Sequence, residues 1–288
     1  MPLFYILKLI INISWFVILA DKVLTGKILK NTHFVSSIKT AQTGNQCLIF
    51  QSLFDKSQTG FDLSEGGDWG IVEAANSNSI SRSANKYRGG THSVKFILNK
   101  YDANVGGSKR AELTDWNGRM LNVRSERWYG LSIFLPDSYI ADPCEEQLFQ
   151  WHATNSVAMD GESMLNSPMA MYTKNGRWQF GMKHGGSLDL GVYERNVWTD
   201  WVLHIKFSPD SNGLVEIWKN GIQMTSKRGK NTYNDKVGNY FKIGIYKYGW
   251  AEGYYSNTNT RTLYYDEVRI GDENSSYSAV APRSKQKH

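Results

Sequence analysis

The sequence predicts an all-β fold: an antiparallel two-sheet β-sandwich of jelly-roll, concanavalin-like type, with an open concave groove on one sheet. Three observations predict it. Short runs rich in β-branched and aromatic residues recur from residue 46 onward, separated by Gly, Asn, Asp and Ser. No helix of three turns is legible after residue 25, and strands do not alternate with helices as a parallel sheet would require. Aromatic residues make up 13% of the 288 residues and prolines number only 6, which suits strands and turns in one large domain.

The elements follow in chain order. Residues 1–20 open with a single early lysine and an apolar run from Leu9 to Ala20, too short to cross a bilayer comfortably and suited to a secretory signal peptide. Ile18 stands where a signal peptidase prefers a small residue, so an uncleaved anchor is the alternative. A secreted, extracellular protein is expected, with no membrane contact beyond this segment. Residues 21–45 are polar and weakly patterned and read as a linker or pro-segment. Residues 46–272 carry the strand signals: CLIFQSLF, HSVKFIL, RWYGLSIFL, EQLFQWH, MAMYT, RWQFGMKH, WTDWVLHIKFS, LVEIWKN, YFKIGIYKY and TLYYDEVRI. Asn220-Gly221 joins two such runs as a hairpin, because both residues tolerate positive φ. Residues 273–288 are small, polar and basic and read as a disordered tail.

The formal charge of +6 resides in the two ends, which carry an excess of lysine and arginine, and leaves residues 46–272 neutral. That removes the support for a nucleic-acid partner. The two cysteines, Cys47 and Cys144, could pair in an exported chain or be unrelated thiols. A monomer is expected.

Three segments, read as strands, each gather polar side chains on one face. In KRAELT these are Arg110, Glu112 and Thr114; in LFQWH, Gln150 and His152; in YFKIGIYKY, Tyr240, Lys242, Tyr246 and Tyr248, with Phe241, Ile243 and Ile245 on the core side. Each alone has an ordinary explanation, as a solvated ion pair, a hydrogen-bonded pair or a packed tyrosine. Together and in this order they resemble the motif set of jelly-roll polysaccharide lyases that cleave alginate. The wider pattern, including YRGGTHSVKFIL, GLSIFLPDSY, WVLHIKFSPDSNGLVEIWKNG and YYDEVRIG, is similar to the heparin lyase I and glucuronan lyase group over roughly residues 86–271.

The resemblance implies a lyase that cuts an anionic, uronic-acid polysaccharide by β-elimination and leaves a 4,5-unsaturated end. The residue types fit that chemistry. Removing the C5 proton beside a charged carboxylate requires donors or a cation on the carboxylate, a base at C5 and an acid at O4. Gln150 and Arg110 offer an amide donor and a guanidinium fork. His152 can be the base or a further donor, and Tyr246 the acid, with a nearby Lys242 favouring its phenolate. In D-glucuronate or D-mannuronate the C5 proton and O4 share a side of the ring, so Tyr246 could be base and then acid. In L-guluronate or L-iduronate they are opposed, and His152 would take the proton. Lys242 and Glu112 are assigned to substrate binding. Lys247 (or Lys109) is expected to meet neighbouring carboxylates, and Tyr248 and Trp250 to stack on sugar rings. Thr114 and Lys247-Tyr248 replace an arginine and an Asn-Gln of the alginate lyases, which places glucuronan-like polymers slightly ahead.

No cofactor is required for this chemistry. Asp266 occupies a place where related sandwiches hold a structural calcium, but its other ligands are not legible and the metal stays unassigned. Two other functions share the fold class. A glycoside hydrolase would need paired carboxylates across the cleft, and Glu112 lacks a partner in sequence. A non-catalytic carbohydrate-binding module or lectin would not need the Gln150, His152 and Tyr246 set.

Overall fold

The computed structural model describes residues 48–55, 68–116, 123–164 and 166–283. The expected signal peptide, the linker, Cys47 and residues 284–288 lie outside the described residues. Cys144 is buried and carries a free thiol.

Fifteen strands make up about half of the described residues: β1 (Leu48–Ser52), β2 (Gly70–Ala74), β3 (Ile80–Ser83), β4 (Ser93–Asn99), β5 (Arg110–Asp115), β6 (Glu126–Phe134), β7 (Glu146–Ala153), β8 (Met169–Lys174), β9 (Arg177–Met182), β10 (Gly186–Val192), β11 (Trp198–Lys206), β12 (Leu214–Lys219), β13 (Ile222–Arg228), β14 (Asn239–Tyr246) and β15 (Thr260–Gly271). They form two antiparallel sheets. One runs β13-β12-β11-β6-β15-β4-β3, with β1 also paired to β15; the other runs β10-β9-β8-β7-β14-β5-β2. This is the expected jelly-roll sandwich.

Period-two alternation decides what lies between the sheets. On β14, Phe241, Ile243 and Ile245 are buried; Leu113 of β5 and Phe149 and Trp151 of β7 join them from neighbouring strands. The facing sheet contributes Tyr129, Leu131, Ile133, Leu203, Ile205 and Tyr265. Aromatic rings lock the layers together: Tyr129 meets Trp151 and Phe241 at 5.0 Å each, and Trp178 meets Trp201 edge-on at 5.2 Å.

One device in this core shapes the opposite, outward face. The register between β7 and β14 shifts between Ile243 and Tyr246, so an extra residue is accommodated there. Tyr265 reaches across the core and donates to the carbonyls of Leu148 and Gly244 (3.1 Å to the latter), filling acceptors that the irregular ladder leaves over. Gly244 has φ 139°, and a Cβ there would lie 2.2 Å from the Ala111 carbonyl oxygen. Gly244→Ala is therefore expected to destabilise the fold by about 1–3 kcal/mol and to displace Tyr246. Urea unfolding checks it; an unchanged midpoint would mean the bulge relaxes freely.

The chain beyond residue 272 corrects an expectation. Residues 273–283 are an ordered cap on the first sheet and not a disordered tail. The short helix Tyr277–Val280 buries Ala279 and Val280. Gly130 leaves the room: a Cβ on it would fall 1.8 Å from the Val280 carbonyl oxygen. Tyr277 packs edge-on against Trp218, and the Arg283 N–H donates to Glu267 at 2.8 Å.

Candidate active site

The outward face of the seven-stranded sheet carries the polar residues singled out in the sequence. Register places them side by side: Lys242 lies opposite both Thr114 and Gln150, Tyr240 opposite His152, Gly244 opposite Glu112, and Tyr246 opposite both Arg110 and Gln147. Arg110, Glu112, Gln150, His152, Lys242 and Tyr246 thus share one face of three adjacent strands. His152 and Tyr246 flank the group from opposite ends.

Glu112 is the centre of the group and is almost wholly buried, with 3% of its side chain exposed. It accepts from Gln150 Nε2 at 2.6 Å, from Lys242 Nζ at 2.7 Å and from Arg110 Nη1 at 3.4 Å. Its expected contact with substrate is therefore corrected: Glu112 orients the residues above it. Lys242, with 2% of its side chain exposed, is held the same way, and a second carboxylate, Glu73, meets its Nζ at 2.5 Å. The ammonium expected beside the Tyr246 phenol is engaged with these two carboxylates. The cation that does lie on Tyr246 is Arg110, whose guanidinium carbon stands 4.7 Å from the ring centroid.

Gln150 is buried, its carbonyl accepting from the Ser167 hydroxyl and its amide donating to Glu112. Both ends are thereby fixed, so the amide has one orientation. Arg110 Nε has no hydrogen-bond partner among the described residues. That atom is buried, and Nη1 is held by Glu73 (3.1 Å) and Glu112, so the guanidinium offers a ligand carboxylate its Nη2.

His152 Nδ1 lies 2.8 Å from the Ala153 carbonyl, a contact that only an N–H can make, so the neutral ring carries its basic lone pair on Nε2. The ring stacks on Tyr240 at 5.4 Å, and Tyr240 in turn meets Trp116 at 5.0 Å. Burial lowers the His152 pKa below its ordinary 6.5, with Lys242 and Arg110 acting in the same direction against the Ala153 bond and Glu112. His152 is therefore neutral at neutral pH, as a base must be.

Three substrate-contact expectations stand differently. Tyr248 is 48% exposed but sits in a short helix, Tyr248–Ala251, after β14 has ended. Lys247 and Trp250 are corrected outright: both are buried, with the Lys247 ammonium 5.2 Å from the Trp250 ring. Lys247 pairs with Glu146 at 2.8 Å and Asp142 at 3.1 Å, beneath the sheet and away from the open face. Lys109 bonds the Asp102 carbonyl.

Glu73 was missed in the sequence. Its strand, GIVEA, shows no alternation, and its partners Arg110, Thr114 and Lys242 are distant in the chain. Burial pushes its carboxyl upward, but Lys242, Arg110 and Thr114 outweigh burial and hold it below its ordinary 4.5. Asp142 is likewise held below 3.8, burial being overcome by Ser256, Lys247 and Asn257. Carboxyls with lowered folded pKa values contribute stability that is complete above the ordinary values and lost as pH falls through the folded ones. The melting temperature is expected to fall steeply below about pH 4. A melting temperature insensitive to acid would contradict these two ion-pair networks.

Beyond Gln150 the same face continues as a groove of about 270 Å³, lined by Gln147, Ser167, Ala170, Tyr172, Gly181 and Ser187 among others. Ala170 and Gly181 lie in register with Gln150, so small residues keep the floor low where a polymer could pass.

Asp266 is buried and accepts three backbone N–H bonds, from Arg88 (2.6 Å), Gly89 (3.0 Å) and Glu267 (2.7 Å). Burial pushes its carboxyl up to about 7 against those donors. Both oxygens are thus already occupied by the chain. Among the described residues no group of three or more His, Cys, Asp or Glu side chains is arranged to hold a metal.

Fold and site together define a two-sheet β-sandwich protein with one open, polar, grooved sheet, and comparison with known proteins gives the family. Residues 58–269 match the family model described as polysaccharide lyase, and the chain belongs to that family. A search of curated proteins gave no match. Among solved structures, the endo-β-1,4-glucuronan lyase of the fungus Trichoderma reesei superposes with a TM-score of 0.67 at 20% identity, over 82% of this chain and 99% of that one. The catalytic domain of a GH131 β-glucanase from Podospora anserina gives 0.54 at 14% identity, over 81% and 99%. The alginate lyase Aly36B gives 0.50 at 13%, over 78% and 97%. These likenesses concern the fold; the family match carries the activity. The protein is a polysaccharide lyase.

Proposed function

We propose that this lyase acts outside the cell, as a monomer, on an unbranched uronic-acid polymer of glucuronan type, and cuts it by β-elimination. The observation that carries the reading is the stacking of Arg110 on Tyr246 beside a fully oriented Gln150. A carboxylate received by Arg110 and Gln150 brings the C5–C4 bond of that sugar next to the phenol. The C5 proton leaves to a base, its electron pair forms the C4–C5 double bond, the C4–O4 bond breaks, and O4 takes a proton from Tyr246. With D-glucuronate, Tyr246 serves as base and then acid. With L-guluronate, His152 Nε2 is the base on the opposite side.

The resemblance of the motifs to the glucuronan lyase group and the fold likeness to the Trichoderma enzyme favour polyglucuronate over alginate. A hydrolytic reading would use Glu73 with Glu112, but both carboxylates share the Lys242 ammonium and Glu112 is sealed from the open face. The test is a panel of polyglucuronate, alginate and heparin, followed by the ultraviolet absorbance of the unsaturated uronate. Fastest growth on polyglucuronate is expected; activity confined to alginate or heparin would contradict the substrate, though not the reaction.

A further inference from the structure

Two cations and two carboxylates make up the group that would hold the reacting sugar, and they cancel. Arg110 and Lys242 each touch both Glu73 and Glu112. The carboxylates differ in position. Glu112 is sealed beneath Gln150 and Lys242, whereas Glu73 keeps 23% of its side chain exposed and stands on the edge strand β2, directly opposite Glu112 on the same face. Its Oε2 also accepts from Thr114 at 2.9 Å, so it is fixed in place. A ligand approaching Arg110 from the β2 side therefore meets an anchored negative charge, with no uncompensated cation beside it.

From this geometry we infer that Glu73 is a specificity-determining residue that restricts the site to sugars bearing a single negative charge, excluding uronates that carry an additional sulfate ester on a ring hydroxyl. Arg110 Nη1 is already shared by Glu73 and Glu112 and its Nε is buried, which leaves Nη2 to serve one carboxylate. A second anion on the same sugar finds only Glu73, against which like charges repel at short range. An unmodified hydroxyl at that place can instead donate to the Glu73 carboxylate. The inference rests on the uronate-lyase reading for its choice of ligand, and deepens it.

The test compares β-linked polyglucuronate with the same polymer after partial O-sulfation, measuring equilibrium binding and elimination rate for wild type and Glu73→Gln. The wild type is expected to bind the sulfated polymer at least about tenfold more weakly, and Glu73→Gln to bring the two polymers within about threefold. A wild type that binds both equally overturns the inference whether or not the variant folds. A folded Glu73→Gln that keeps the full discrimination overturns it as well. If neither polymer is cleaved while the binding ratio behaves as expected, the proposed reaction fails and the charge selection stands. If both are cleaved and bound alike, the selection fails and the reaction stands.

Discussion

Tyr246→Phe is expected to lower the elimination rate by about 10² to 10⁴ while leaving the melting temperature within about a degree of wild type. The change removes one oxygen and keeps the ring on which Arg110 rests, so the stacking that positions the guanidinium survives. Tyr246 is half-buried, and its neighbours Arg110 and Gln147 stay in register. The loss should appear in kcat with little change in KM, because the proton is transferred only in the transition state. Comparing polymers separates the two stereochemical routes. On polyglucuronate, His152→Ala should cost less than Tyr246→Phe, since the phenol can act as both base and acid. On guluronate-rich alginate the two variants should be equally damaging. Equal damage on both polymers would mean that His152 takes the proton regardless of ring stereochemistry.

The second large effect is on stability. Lys247→Met is expected to destabilise the protein by about 3–5 kcal/mol, the typical cost of leaving buried charge without its partner. Lys247, Asp142, Glu146 and Arg261 are all buried and form one balanced set: Lys247 meets both carboxylates, and Arg261 stands 2.9 Å from Glu146 and 3.4 Å from Asp142. Methionine fills the same volume but leaves two carboxylates to share Arg261. Chemical denaturation reads the effect. A variant of unchanged stability with a raised KM would restore the sequence-based expectation that Lys247 touches substrate.

That expectation failed for an instructive reason. Alternation along YFKIGIYKY places Lys247 on the same side as Ile243 and Ile245, so the pattern itself pointed inward; the charge suggested the surface instead. What the sequence could not show is the buried Glu146 and Asp142 that receive it, because ion pairs across about a hundred residues leave no local signal. Tyr248 closes the run YFKIGIYKY in the sequence, but the chain turns into a short helix, Tyr248–Ala251, after the strand ends at Tyr246. The faces of β5, β7 and β14 were legible because side-chain period depends only on local backbone geometry. Hence Arg110, Glu112, Gln150, His152, Lys242 and Tyr246 do lie together. Their division of labour was not legible: Glu112 and Lys242 spend their charges on one another and on neighbours within the group, and Glu73 comes from an edge strand with no alternation to reveal it. The ordered segment after residue 272 was missed similarly, since four helical residues have no periodic signature and are held by the space that Gly130 leaves.

The most direct measurement follows the wild-type enzyme on polyglucuronate, recording unsaturated ends by ultraviolet absorbance and reducing ends by chemical assay in the same sample. Elimination on the Arg110, Gln150 and Tyr246 face predicts equal growth of both, from the first time point onward. Reducing ends appearing without absorbance would mean that water cuts the chain, and the assigned chemistry of this face would be wrong.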